Sequence, residues 1–147
     1  HGELRMPDLK IVQPFRRVAM AVDFGSADTR VISQGAAMAA GGASLLLIHV
    51  VESAAARTLG MDVEDQETQM DRQRLEQYAA ALREKGFKTE IILGFGRPPH
   101  EIPKLVKAQE ADMLIMGAHG HRNIGDLLYG TTADAVRHRV KVPVMIV

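Results

Sequence analysis

The sequence predicts one doubly wound α/β domain, a parallel sheet of five strands with helices on both faces. Three observations predict it. "RVAMAV" (17–22), "SLLLIHV" (44–50) and "DMLIMG" (112–117) are apolar at alternate and intervening positions alike, as expected of parallel strands covered by helices on each side. Helical patterns lie between these runs. Two further strand signals complete the order β-α-β-α-β-α-β-α-β, which calls for right-handed crossovers.

The elements follow in order. The first strand leads to an alanine-rich helix over 28–40, apolar enough to be largely buried. After the second strand, 52–62 reads as irregular, and 64–85 reads as a long amphipathic helix. Its apolar face takes Met70, Leu75, Tyr78, Ala79 and Leu82. Glu64, Asp65 and Glu67 lie early in it and Arg83 and Lys85 late, matching the helix dipole, and Gly86 is placed to stop it. "FKTEIIL" (87–93) is the next strand. Pro98 suits the first turn of a third helix carrying Ile102, Leu105 and Val106. Thr131 or Thr132 caps a last helix running to about Arg139, and "VPVMIV" (142–147) is the last strand. Residues 1–14 read as a loose arm or linker, and 15–147 as the domain.

Composition narrows the function. The chain has 147 residues, 46% of them hydrophobic, enough for one well-buried core. Its 18 acidic and 18 basic residues balance, so bulk attraction to nucleic acid or an anionic membrane is not expected. With no cysteine there is no disulfide, thiolate zinc site or cysteine nucleophile. No apolar run approaches the roughly 18–20 residues of a membrane helix, and a cytoplasmic location is expected.

In an open parallel sheet, ligands bind outside the carboxyl ends of the strands, where the strand order reverses. Those ends carry "DFGS" (23–26), "VVE" (50–52), "GFG" (94–96) and "GAHGHRNIGDLLYGTT" (117–132). Glycine turns there allow close backbone approach, and a following helix N-terminus favours phosphate. Taken singly, each glycine also fits a plain turn. No G-x-x-x-x-G-K-[ST] is present, and Pro99 replaces the third glycine of a dinucleotide fingerprint in "GFGRPPH".

The spacing Gly117-x2-Gly120-x9-Gly130-Thr131 resembles the nucleotide-binding pattern of the universal stress protein family. "AMAVDFGS", "LLLIHVVE" and "VPVMIV" match its other landmarks, so the resemblance runs from about Phe15 to Val147. It implies a Rossmann-like sheet of strand order 3-2-1-4-5 and a bound ATP, AMP or ADP, with any Mg²⁺ carried mainly by the phosphates. By the same resemblance, Asp23 would lie beside the adenosine and the Val50 backbone would contact adenine. Gly96, Gly117 and Gly120 would let the chain pass close to the nucleotide. Gly130, Thr131 and Thr132 would hold the outer phosphates, with Arg122 available to neutralise charge. Asp23 could equally cap the helix expected to begin near Ser26, and Arg122 equally suits a solvated loop.

The family also implies a homodimer through the Val142–Val147 edge strand. The ending "VRHRVKVPVMIV" further resembles stress-protein domains attached to membrane transporters, including metal-ion transporters. Among the histidines, His119 and His121 lack a third metal ligand at a recognisable spacing. His49 reads as a satisfied core histidine, and "RHRVK" (137–141) as a basic helix end. No nucleophile–base spacing or carboxylate pair marks catalysis. The sequence therefore favours a regulatory or stress-response binding module that senses nucleotide. A slow ATPase and a nucleotide-free interaction domain are the alternatives.

Overall fold

β1 (Arg17–Ala21) and β2 (Ser44–Val51) run parallel, with Val18 beside Leu45 and Ala21 beside Ile48. β3 (Thr89–Phe95) pairs with the other edge of β2. β4 (Met113–Met116) pairs with the other edge of β1, and β5 (Val144–Ile146) extends the sheet beyond β4. The order is β3-β2-β1-β4-β5, all parallel, as expected from the resemblance. The connections hold α1 (Asp28–Met38), α2 (Gln66–Glu84), α3 (Pro98–Ala108) and α4 (Thr131–Arg139). The structure, a computed structural model, describes residues 8–10, 15–39, 41–52, 66–118 and 131–147. Most of the expected arm, Gly120, Arg122, Gly130 and the His119–His121 pair lie outside them.

Strand alternation sorts the core into two layers. Val18, Met20, Leu45, Leu47 and Ile115 face Val31 of α1 and Leu75, Ala79 and Leu82 of α2. Ala19, Leu46, Ile48, Val50 and Leu114 face Ile102 and Val106 of α3 and Ala133 and Val136 of α4. Each fully buried leucine or isoleucine contributes about 2 kcal/mol by leaving water. At the amino edge of the sheet, both Asp112 carboxylate oxygens accept backbone N–H groups, those of Arg16 and Arg17, and so pin β1 against the start of β4.

Three details differ from the sequence reading, each for a local reason. Met70 is 45% exposed, and Asp71 points inward in its place. The inward stripe of α2 is Thr68, Asp71, Leu75, Ala79 and Leu82, a helical spacing that Met70 does not share. β3 starts two residues later than expected because Phe87 N–H bonds back to Leu82 O and Gly86 adopts φ +93°, which closes α2 first. β5 starts at Val144 because Pro143 has no N–H; its carbonyl accepts from Leu114 N–H instead.

α3 contains Pro103. A non-proline residue there would donate to Pro99 O, so the proline leaves that carbonyl without its helical partner. Arg139, at the far end of α4, fills it: its Nη1 lies 3.0 Å from Pro99 O and 2.8 Å from His100 Nδ1.

Candidate functional site

The strand order reverses between β1 and β4, because β1 continues into β2 on one side while β4 leads to β5 on the other. The carboxyl edge at this point is where a ligand of a doubly wound sheet sits. Asp23 lies two residues beyond β1, Gly96 directly after β3, and Gly117 directly after β4. Val50 is in the last turns of β2. Its side chain is buried in the layer under α3 and α4. Its peptide groups lie in the plane of the sheet, at right angles to the side chain. Ile48 O accepts from Val22 N–H, so Ile48 faces β1, and Val50, two residues on, faces the same side past the end of that strand.

Gly96 is buried with φ +130°, a conformation that side chains resist, and its N–H donates to Val51 O. A Cβ there would meet Glu101 Cγ at 3.4 Å. Gly94 matters for a different reason: a Cβ would fall 2.7 Å from Leu105 Cδ1, so the Leu105 side chain of α3 would have to shift. Thr131 and Thr132 open α4, which suits the expected phosphate end of the site, and Thr132 is half-buried. Four of the expected site residues, Asp23, Val50, Gly96 and Gly117, thus end on one edge of the sheet. These backbone groups and the Asp23 carboxylate suit the ribose and base of a nucleotide.

Asp23 was open to two roles, ligand contact and capping of a helix near Ser26. α1 begins later, at Asp28, and its N-cap, Ala27, makes no side-chain cap bond. Asp23 Oδ1 instead accepts from Gly25 N–H at 2.9 Å, which tightens the turn rather than capping the helix. Asp28, overlooked in the sequence, reaches back over this turn. Its Oδ1 lies 3.2 Å from Asp23 N, and its Oδ2 2.8 Å from both Phe24 N and Tyr78 Oη. Burial raises the Asp28 carboxyl above its ordinary 3.8; the hydroxyl of Tyr78 and the N–H groups of Asp23 and Phe24 oppose the rise, and the Asp23 charge adds to it. Burial, and then the bond to Asp28, push the Tyr78 phenol upward as well.

His49 and Asp71 are 8% and 7% exposed. His49 Nδ1 lies 2.9 Å from Val22 O, and Nε2 lies 2.9 Å from Asp71 Oδ2. A carbonyl only accepts, so Nδ1 donates, and one proton lies between Nε2 and the carboxylate. His49 is therefore the satisfied core histidine the sequence suggested. Its partner was hidden because Asp71 sits in a run of polar residues. The only signal was its helical spacing from Leu75 and Ala79.

Among the described residues, no group of three His, Cys, Asp or Glu could hold a metal ion, and no helix is long and apolar enough to cross a membrane. A groove of about 180 Å³ lined by Gly41, Gly42, Gly86, Phe87 and Lys88 opens at the opposite, amino edge. That is smaller than the several hundred Å³, about 300 or more, of a typical ligand pocket.

The family model described as the universal stress protein family matches residues 14–147. Universal stress protein MJ0577 of Methanocaldococcus jannaschii is 31% identical over 80 residues, which are 54% of this chain and 49% of that protein. Universal stress protein Slr1230 of Synechocystis is 36% identical over 64 residues, 44% of this chain and 22% of that protein. The matched segments thus span about half the length of the first relative and less of the second. The MJ0577 structure superposes with a TM-score of 0.69 at 22% identity, covering 92% of this chain and 96% of that one. A universal stress protein in complex with cAMP superposes at 0.68 and 20% identity, covering 92% and 98%. One from Archaeoglobus fulgidus in complex with dAMP superposes at 0.68 and 18%, covering 91% and 98%. At these identities the superpositions establish a shared fold. The family match runs through all five strands and every described helix, and this chain belongs to the universal stress protein family.

Proposed function

We propose that this protein binds an adenine nucleotide at the carboxyl edge between β1 and β4, and acts as a nucleotide-dependent sensor or interaction module in a stress response. The observation that carries the reading is the meeting of Asp23, the Val50 backbone, Gly96 and Gly117 on that edge. The spacing Gly117-x2-Gly120-x9-Gly130-Thr131 supports it, as do the cAMP and dAMP bound by proteins of the same fold.

In this reading Asp23 and Val50 take the adenosine. Gly120, Arg122, Gly130, Thr131 and Thr132 take the phosphates of ATP, ADP or AMP. Any Mg²⁺ rides on the phosphates. The β5 edge, with Ile146 39% exposed, offers the surface for a homodimer in the cytoplasm. Tethering to a membrane transporter would leave the site chemistry unchanged and turn occupancy into a bias on transport.

The test is mass spectrometry of nucleotide released from the purified protein, followed by titration with ATP, AMP and cAMP. Binding that is lost in Gly120→Val or Gly130→Val is expected. ADP release above that of the same variants would make the protein a slow ATPase. No retained nucleotide and no binding at millimolar concentration would overturn the reading in favour of a nucleotide-free interaction domain.

A further inference from the structure

Phe24 sits at φ +63°, the left-handed region, where a bulky side chain is strained by its own backbone. It immediately follows Asp23, and the surroundings over-determine its conformation. Its ring lies 4.4 Å from that of His49 and 5.8 Å from that of Tyr78, and the Arg74 guanidinium lies over it at 5.4 Å. Its N–H and that of Asp23 end on the Asp28 carboxylate, and the Val22 carbonyl before them ends on His49. Three consecutive residues at the end of β1 are therefore held by two side chains.

Both of those side chains pass the load to the same helix. Asp28 is held by Tyr78 and His49 by Asp71, and these two residues lie seven apart on α2, two turns along one face. Arg74, between them, covers Phe24. α2 supplies none of the residues assigned above to the nucleotide, yet both of these side-chain ties lead to it.

We propose that Asp28, Tyr78, His49 and Asp71 are positioning residues of the nucleotide site, clamping the turn that aims Asp23 so that the seating of α2 and nucleotide occupancy are coupled. The coupling rests on the nucleotide reading; the clamp itself does not. Because such coupling is reciprocal, nucleotide tightens α2 as much as a seated α2 tightens nucleotide.

The clamp is read in ligand-free protein by amide exchange and the HN–Hα coupling of Phe24. Tyr78→Phe, which removes one hydroxyl, and Asp71→Asn should each speed Phe24 exchange about tenfold, the effect of losing one charge-assisted bond. The coupling is read by calorimetry with ATP and with cAMP. The same variants should bind about tenfold more weakly than wild type while still unfolding cooperatively, and ATP should slow exchange along α2 in wild type. Unchanged Phe24 exchange in both variants overturns the clamp. Faster exchange with unchanged affinity overturns the coupling. Wild type that binds neither nucleotide overturns the site reading and the coupling with it, while Phe24 exchange still decides the clamp. Should Asp71→Asn fail to fold, Tyr78→Phe carries the test.

Discussion

On the α1/α2 face, the carboxyl end of the sheet is tied by polar groups: Asp28 on two backbone N–H groups and a phenol, and a His49–Asp71 pair beneath them. On the α3/α4 face the corresponding end is apolar. Val50, Leu105 and Ile102 pack there, and Gly94 lets the helix close in. The first arrangement is directional and fails if one member is lost, since each buried group needs its partner. The second depends on volume, so it responds to changes of size among apolar side chains. The turn bearing Asp23 lies on the first face. The apolar floor under Val50, whose backbone faces the crevice, lies on the second.

The largest expected effect breaks the polar face. Asp71→Ala leaves a buried imidazole without its acceptor and should cost about 3 kcal/mol in urea unfolding. Replacing both members by leucine should recover part of that loss, because the unpaired imidazole is gone while the Val22 carbonyl still loses its His49 donor. A double variant as unstable as the single one would show that the pair is held for more than its own satisfaction. Next comes the apolar face. Gly94→Ala puts a Cβ 2.7 Å from Leu105 Cδ1 and should cost about 1–3 kcal/mol by overpacking. Leu105→Val in the same chain should restore part of it, whereas the polar face should respond to no such change of volume.

The smallest effect depends on pH, because burial of Asp28 is opposed by its three donors. Its folded carboxyl lies above the ordinary 3.8, so the native state holds this proton to higher pH than the unfolded chain. That contribution is fully present below 3.8 and is lost as pH rises through the raised folded value. The stability of wild type minus that of Asp28→Asn should therefore fall with rising pH across this window. A difference that rises instead would mean that the donors outweigh burial and that the carboxylate is the favoured form.

Much of this was legible beforehand. The apolar runs at 17–22, 44–50 and 112–117 marked the buried strands, since helix-covered parallel strands are apolar on both faces. Pro98 marked the start of α3 to the residue. At the carboxyl edge, Gly96 announced its positive-φ turn through residue type alone. The phosphate end, Gly120 to Gly130, rests on spacing.

Asp28 and Asp71 were not legible. Each looks like an ordinary helix acid, one in a first turn and one in a polar run, because what distinguishes them is a partner 50 or 22 residues away in the chain. The chain by itself determined the strand and helix order and the two-layer core, because periodicity and turn chemistry are local. Only the tertiary structure decided which acids turn inward, that Phe24 takes a left-handed backbone, and that α2 holds the turn bearing Asp23. Those outcomes are set by hydrogen bonds between segments that meet only once the sheet has formed.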